Sequence, residues 1–133
     1  MHNAFLIDTT SAAPITHDLT LEALQATVGG YIECAFNIPS PVRKGYTLTG
    51  YVNDEGLLQR LPVCVVASTC GPLAGPVIVC GLDWRTGETV PLIEDELEWL
   101  AKRVILLGAG GIGGKILSAV HWLDTLDTDP DDE

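Results

Sequence analysis

Apolar and polar positions change rhythm several times along this chain, and each change marks an element. Residues 4–10 (AFLIDTT) read as a first strand. The segment SAAPITHD follows as a loop, because Pro14 withholds a backbone donor. Asp18 or Thr20 can cap a helix over LTLEALQATV, whose Leu21, Leu24 and Val28 share one face. Gly29-Gly30 ends it, since glycine tolerates the left-handed backbone of a helix stop. Residues 31–38 then alternate with period two. Tyr31, Glu33, Ala35 and Asn37 fall on one face, and Ile32, Cys34, Phe36 and Ile38 on the other.

PSPVRKG reads as a loop, residues 45–53 as a strand, and Asn53-Asp54-Glu55-Gly56 as a turn. LLQRLPVCVV combines a helical turn with an extended apolar run after Pro62, and STCGPLAGP reads as a loop. Two β-rich runs, 77–82 and 89–92, flank Arg85-Thr86-Gly87 as a hairpin. IEDELEWLAKRVILLG reads as a helix with acids at its start and Lys102 and Arg103 further along, as the helix dipole favours. Leu97, Leu100, Val104 and Leu107 trace its apolar face. These elements predict an α+β fold: a small mixed, mainly antiparallel sheet of about four or five strands with two or three helices. The expected division is an α+β domain over 1–107, a glycine-rich hinge and C-terminal helix over 108–123, and a disordered acidic tail over 124–133.

Composition narrows the function. With 133 residues and 47% hydrophobic content the chain can build a core, which excludes wholesale disorder. Seven basic residues against eighteen acids give −11, which disfavours direct binding of nucleic acid or an anionic membrane. Six of those acids lie in the last ten residues, so the preceding 123 carry only −5. The N-terminus has no basic start before its short apolar run, so a cytoplasmic protein is expected. The four cysteines form no C-x-x-C pair, and Cys34, Cys64 and Cys80 sit in apolar runs as buried, reduced thiols would. With only His2, His17 and His121 beside them, no metal site is expected.

One motif points towards a coenzyme. In RVILLGAGGIGG, Gly108, Gly110 and Gly113 give the spacing of a dinucleotide loop. Such a fold needs further parallel strands and an acid about 20 residues on. The chain after Gly113 instead ends in the acidic tail. The stretch is therefore read as a hinge or a close-packing surface, where Gly110 and Gly114 let backbones touch, and no cofactor is expected. Residues 104–123 offer a homodimer surface, and 114–126 reads as a peripheral, partner-docking amphipathic helix anchored by Trp122 and Leu123. Catalytic machinery is not legible. Ser68 is not in a G-x-S-x-G elbow, no P-loop lysine occurs, and His17 and Asp18 are sequence neighbours that point apart. Glu94, Asp95, Glu96 and Glu98 read as helix-start charges rather than a metal face.

What remains is surface. Trp84 and Arg85 at the hairpin tip, with Trp122, Asp124 and Asp127, form the partner-binding set, since Trp and Arg are enriched at hot spots. Tyr46, Tyr51, Arg60 and Arg85 could instead stack on and clamp a small anionic ligand, with Arg43-Lys44 less specific.

The segments TLEALQATVGGYIE, YVNDEGLLQRLPVC and GPVIVCGLDWRTGETVPLIEDELEWL resemble, in that order, a small family of unknown function found on phages, plasmids and other mobile elements. The likeness spans about residues 20–100, and the first unit is its distinctive part. The chain departs after "LP", where Cys64 stands in place of the family's usual Asn, and residues 104–133 are its own. The family carries no activity over. It implies an accessory gene of a mobile element, acting in the host cell cytosol, and many such genes meddle with host defence. The expectation is a non-enzymatic counter-defence protein that binds and inhibits a host factor. An acidic occluding surface would cover a nucleic-acid-binding defence protein by mimicry of nucleic acid, as anti-CRISPR and anti-restriction proteins do. One alternative is sequestration of a small anionic nucleotide signal, and another is a small nucleotide-binding enzyme using the 108–114 loop.

Overall fold

The computed structural model describes residues 2–9, 11–56, 58–68, 70–112 and 115–123, with side chains outside 107–120. In chain order the elements are β1 (Ala4–Ile7), β2 (Ala12–Ile15), α1 (Leu21–Val28), β3 (Ile32–Pro39), β4 (Tyr46–Asn53) and β5 (Val63–Ala67). There follow β6 (Gly71–Ala74), β7 (Val77–Asp83), β8 (Glu88–Val90), α2 (Glu94–Arg103), β9 (Val104–Ile112) and β10 (Lys115–Leu123). The six-stranded sheet runs β2-β1-β7-β4-β3, with β8 also paired to β7. The second sheet runs β6-β5-β10-β9. Among the described residues every pairing is antiparallel except that of β10 with β5.

β7 is central because VIVCGLD is apolar on both faces, as a strand covered on both sides requires. β4 flanks one edge of it, while β1 and β8 lie end to end along the other, pairing with Val77–Val79 and Gly81–Asp83 respectively. α1 covers one face of this sheet, where Leu24 and Val28 meet Ala4, Ile78 and Cys80. Thr20 caps α1 by accepting from the Ala23 N–H, and Gly29 closes it at φ +85°. The opposite face supplies Phe5, Ile7, Leu48, Val77 and Val79 to the main core. That core continues into Cys64, Val65 and Leu123 of the second sheet and Leu97 and Leu100 of α2.

A bulge in β3 sets which residues face which core. Cys34 pairs with Tyr51 and Phe36 with Gly50, so Ala35 is an extra residue that reverses the alternation. Ile32 therefore packs on the α1 side, whereas Phe36 and Ile38 enter the main core. The strict alternation expected for 31–38 fails at this point, and Cys34 is exposed rather than buried.

The structure corrects several other expectations. The α+β class holds, but there are ten strands in two sheets among the described residues, with two helices. SAAPITHD contains β2, and STCGPLAGP contains β6. Both are edge strands, where Pro14 and Pro72 are tolerated because no partner needs their missing N–H. Leu21 is exposed, leaving Leu24 and Val28 as the buried face of α1. α2 stops at Arg103, and Val104 already opens β9. The helix expected within 108–123 is instead β10, antiparallel to β9 and parallel to β5. Glycines and β-branched Val104, Ile105, Ile112, Ile116 and Val120 disfavour a helix, and β5 offers a partner edge. Leu123, expected as a docking anchor, is wholly buried in the core.

Cys64 and Cys80 are buried and Cys34 and Cys70 exposed. Burial pushes the Cys64 thiol up to about 11 and the Cys80 thiol up to about 12. We expect a disulfide reagent at about pH 8 to label Cys34 and Cys70 in the native protein and all four thiols only after unfolding. Folding holds the proton on the buried pair, so unfolded thiols ionise first. Stability should therefore fall as pH rises above 9.0 and through the folded values, read by urea unfolding at a series of pH values. Native labelling of Cys80 would contradict the assignment.

Candidate functional site

The hairpin tip is built by its own backbone. Gly87, at φ +74°, donates its N–H to the Asp83 carbonyl at 2.7 Å and turns β7 into β8. The Asp83 carboxylate accepts from the Arg85 N–H at 2.9 Å and from its Nε and Nη2, both at 3.3 Å. These bonds to Arg85, with its charge, hold the Asp83 carboxyl below the usual carboxylate range. Arg85 Nη2 also donates to the Tyr46 hydroxyl at 3.1 Å. Asp83 and Tyr46 are cross-strand partners in β7 and β4, which brings these groups to one face.

Trp84 points to the other face. Its backbone N–H donates to the Gly45 carbonyl and its indole Nε1 to Thr47 Oγ1, each at 3.0 Å. Thr47 shares a hydrogen bond with Thr49, which donates to Asn37 Oδ1 at 2.8 Å. The indole ring remains 59% exposed although its polar atom is satisfied. Trp84 is thus an exposed ring fixed in orientation by the hydroxyl ladder beneath.

Arg43 stacks over Tyr46 at 4.2 Å from the ring centroid, with Arg85 at 5.7 Å. Its guanidinium is already engaged. Nε and Nη2 donate to the two oxygens of Glu96 at 3.1 and 2.7 Å, and Nη2 also reaches the Pro91 carbonyl. Glu96 is fully buried and further accepts from Ser40 Oγ at 2.6 Å and the Ile93 N–H at 3.0 Å. The last bond completes the start of α2, as a glutamate at the third helical position does. The pairing of Arg43 with Glu96 across 53 residues had no signal in the sequence beyond that position in the first turn.

The expected ligand set is only partly assembled. Tyr46 and Arg85 meet, but Tyr51 lies one residue out of phase in β4, on the α1 side, half-buried and hydrogen-bonded to Thr89. Arg60 is exposed in the turn before β5, at φ +57°. Of the partner set, Trp122 lies in β10 opposite Ile105 and Val66 and is half-buried, and Asp124 and Asp127 lie outside the described residues. Gly108 and Gly110 are interior to β9, paired with Val120 and Leu117, whereas a dinucleotide loop places such glycines between a strand and a helix. Gly113 and Gly114 lie outside the described residues. His17 bonds Thr27 of α1 and the Asp18 carbonyl, a structural post rather than a paired base. Among the described residues no three His, Cys, Asp or Glu side chains converge as a metal site, and no helix is long and apolar enough to cross a membrane.

Among the described residues, two antiparallel-rich sheets, two helices and a cross-braced hairpin tip define a small α+β protein. The chain belongs to the family described as a domain of unknown function, DUF3846, whose model matches residues 1–105. The match takes in everything up to the start of β9 and begins upstream of the 20–100 span that the sequence motifs marked. No curated protein and no solved structure shows significant similarity to the chain.

Proposed function

We propose that the chain is a non-enzymatic accessory protein of mobile elements that acts against host defence by binding and occluding a host protein, with the β7–β8 tip as its anchor. The carrying observation is Trp84, 59% exposed yet tethered at both its indole and its backbone N–H. A ring whose rotamer is already chosen loses little freedom on docking, and Trp and Arg dominate interface hot spots.

Electrostatics support the same reading. Arg43 and Arg85 are each already paired with a carboxylate, Arg43 with the buried Glu96 and the exposed Arg85 with Asp83. The outward field of a chain at −11 is then negative and competes with phosphate for a basic surface on a defence factor. Trp122 and the tail acids Asp124 and Asp127 extend the contact, and the host cytosol is where it forms. The mobile-element setting comes from the sequence resemblance.

The test is phage plating on a host carrying a restriction or CRISPR system. Expression of the chain is expected to raise plating of the targeted phage, and Trp84→Ala to abolish that rise at equal protein level. A central Trp removed from an interface costs about 2 kcal/mol or more, roughly thirtyfold in affinity. No protection by the wild-type chain, or equal protection by Trp84→Ala, would overturn the proposal.

A further inference from the structure

The edge strands β3 and β6 of the two sheets line one groove; among the described residues β3 pairs only with β4, and β6 only with β5. Between these edges runs a groove of about 320 Å³. Val52, Leu73 and Ala74 form its buried apolar floor. Leu58, 83% exposed, stands at its rim with the exposed carboxylates of Glu33 and Asp54.

The groove is framed by close contacts. Gly56 passes so close to β6 that a Cβ there would lie 2.6 Å from the Ala74 carbonyl oxygen. Asn53 is buried and donates to the Val28 carbonyl and to Gln59 Oε1, while accepting from the Glu55 N–H at 2.8 Å. Asn53 and Gly56, which form one wall, are therefore held against α1 on one side and β6 on the other. Among the described residues no basic side chain lines the groove, and Arg60, on the adjoining turn, is not part of its lining.

We infer that this groove is a docking site for an extended peptide segment of a partner protein that presents one aliphatic side chain between lysines or arginines. The apolar floor takes the aliphatic group, and Glu33 and Asp54 take the flanking cations. The outer edge of β3 beside it, unpaired among the described residues, can add the segment as a further strand. Charge complementarity selects this occupant over a second copy of the chain, whose net charge of −11 would bring acid against acid. The inference uses no residue of the Trp84 tip and stands apart from the counter-defence reading.

The test takes the full chain as bait for a displayed library of random heptapeptides. A fluorescein-labelled peptide from the enriched pool is then titrated against variants. Enrichment of aliphatic residues flanked by Lys or Arg is expected, with binding weakened about tenfold or more in Glu33→Lys/Asp54→Lys and unchanged in Trp84→Ala. Amide shifts in the wild-type chain should change at residues 33, 54, 58 and 73, which keeps the test valid if the charge-reversed variant misfolds. No enrichment, enrichment of acidic or purely apolar peptides, shifts elsewhere, or binding indifferent to the charge reversal would each overturn the inference. Concentration-dependent dimerisation that blocks the peptide would do so as well.

Discussion

Glu96→Ala should lower the stability of the folded chain by about 3–5 kcal/mol, the usual cost of removing one partner from a buried ion pair. The Glu96 side chain has no solvent exposure and Arg43 only 23%. Its carboxylate accepts from Arg43, Ser40 and the Ile93 N–H, so alanine leaves a cation, a hydroxyl and a helix-start donor without their acceptor. Small domains are held by about 5–15 kcal/mol, so the loss is a large share of the total. Urea unfolding of the wild type, Glu96→Ala, Arg43→Ala and the double variant measures it. The double variant should be more stable than the sum of the single losses predicts, because neither charge is then left alone. Additive losses would show that the pair is not coupled. Arg43 also stacks on Tyr46, so loosening it should increase mobility at the hairpin tip.

Gly50→Ala should be damaging out of proportion to the single methyl it adds. A Cβ at Gly50 would lie 2.3 Å from Phe36 Cζ, with two further ring atoms within 2.7 Å. Phe36 is 6% exposed in the main core and is the cross-strand partner of Gly50, so the ring has nowhere to go. Overpacking of this kind typically costs about 1–3 kcal/mol, and the direct ring contact argues for the upper end. Phe36→Leu, which vacates the ring space, should recover part of the loss in the Gly50→Ala background while destabilising the wild type. A Gly50→Ala variant as stable as the wild type would mean that the ring does not lie over the strand as described. The same contact explains why an unremarkable glycine sits in the middle of a strand: it is the space into which the bulged β3 turns its aromatic residue.

Much of the architecture was readable from local signals. Thr20 and Gly29 delimit α1 because a hydroxyl and a left-handed glycine satisfy backbone groups a few residues away. The β7–β8 hairpin and the strand over 46–53 follow from β-rich composition around turn residues. Edge strands were not readable. β2 and β6 are four residues each and carry proline, so their local pattern is that of a loop, and only a neighbouring strand makes them part of a sheet. The phase change in β3 was equally invisible, because a bulge is defined by the residue opposite and not by its own sequence.

At the surface, sequence reasoning placed Trp84 and Arg85 at an exposed tip, and exposure follows from turn position alone. It could not say that Tyr46 joins Arg85 while Tyr51, five residues along the same strand, faces away, since that depends on which core claims each face. It could not see that Arg43 is bound to Glu96, nor that the edge strands β3 and β6 meet over an apolar floor.

The sequence by itself determined the limits of α1, the β7–β8 hairpin and the acidic balance, because these rest on near-neighbour backbone chemistry and on composition. Only the tertiary structure decided sheet membership, the fate of residues 104–123 as strands, and which charges remain outward-facing. Those depend on long-range pairing, where an edge or a counter-charge tens of residues away determines what a local pattern leaves open.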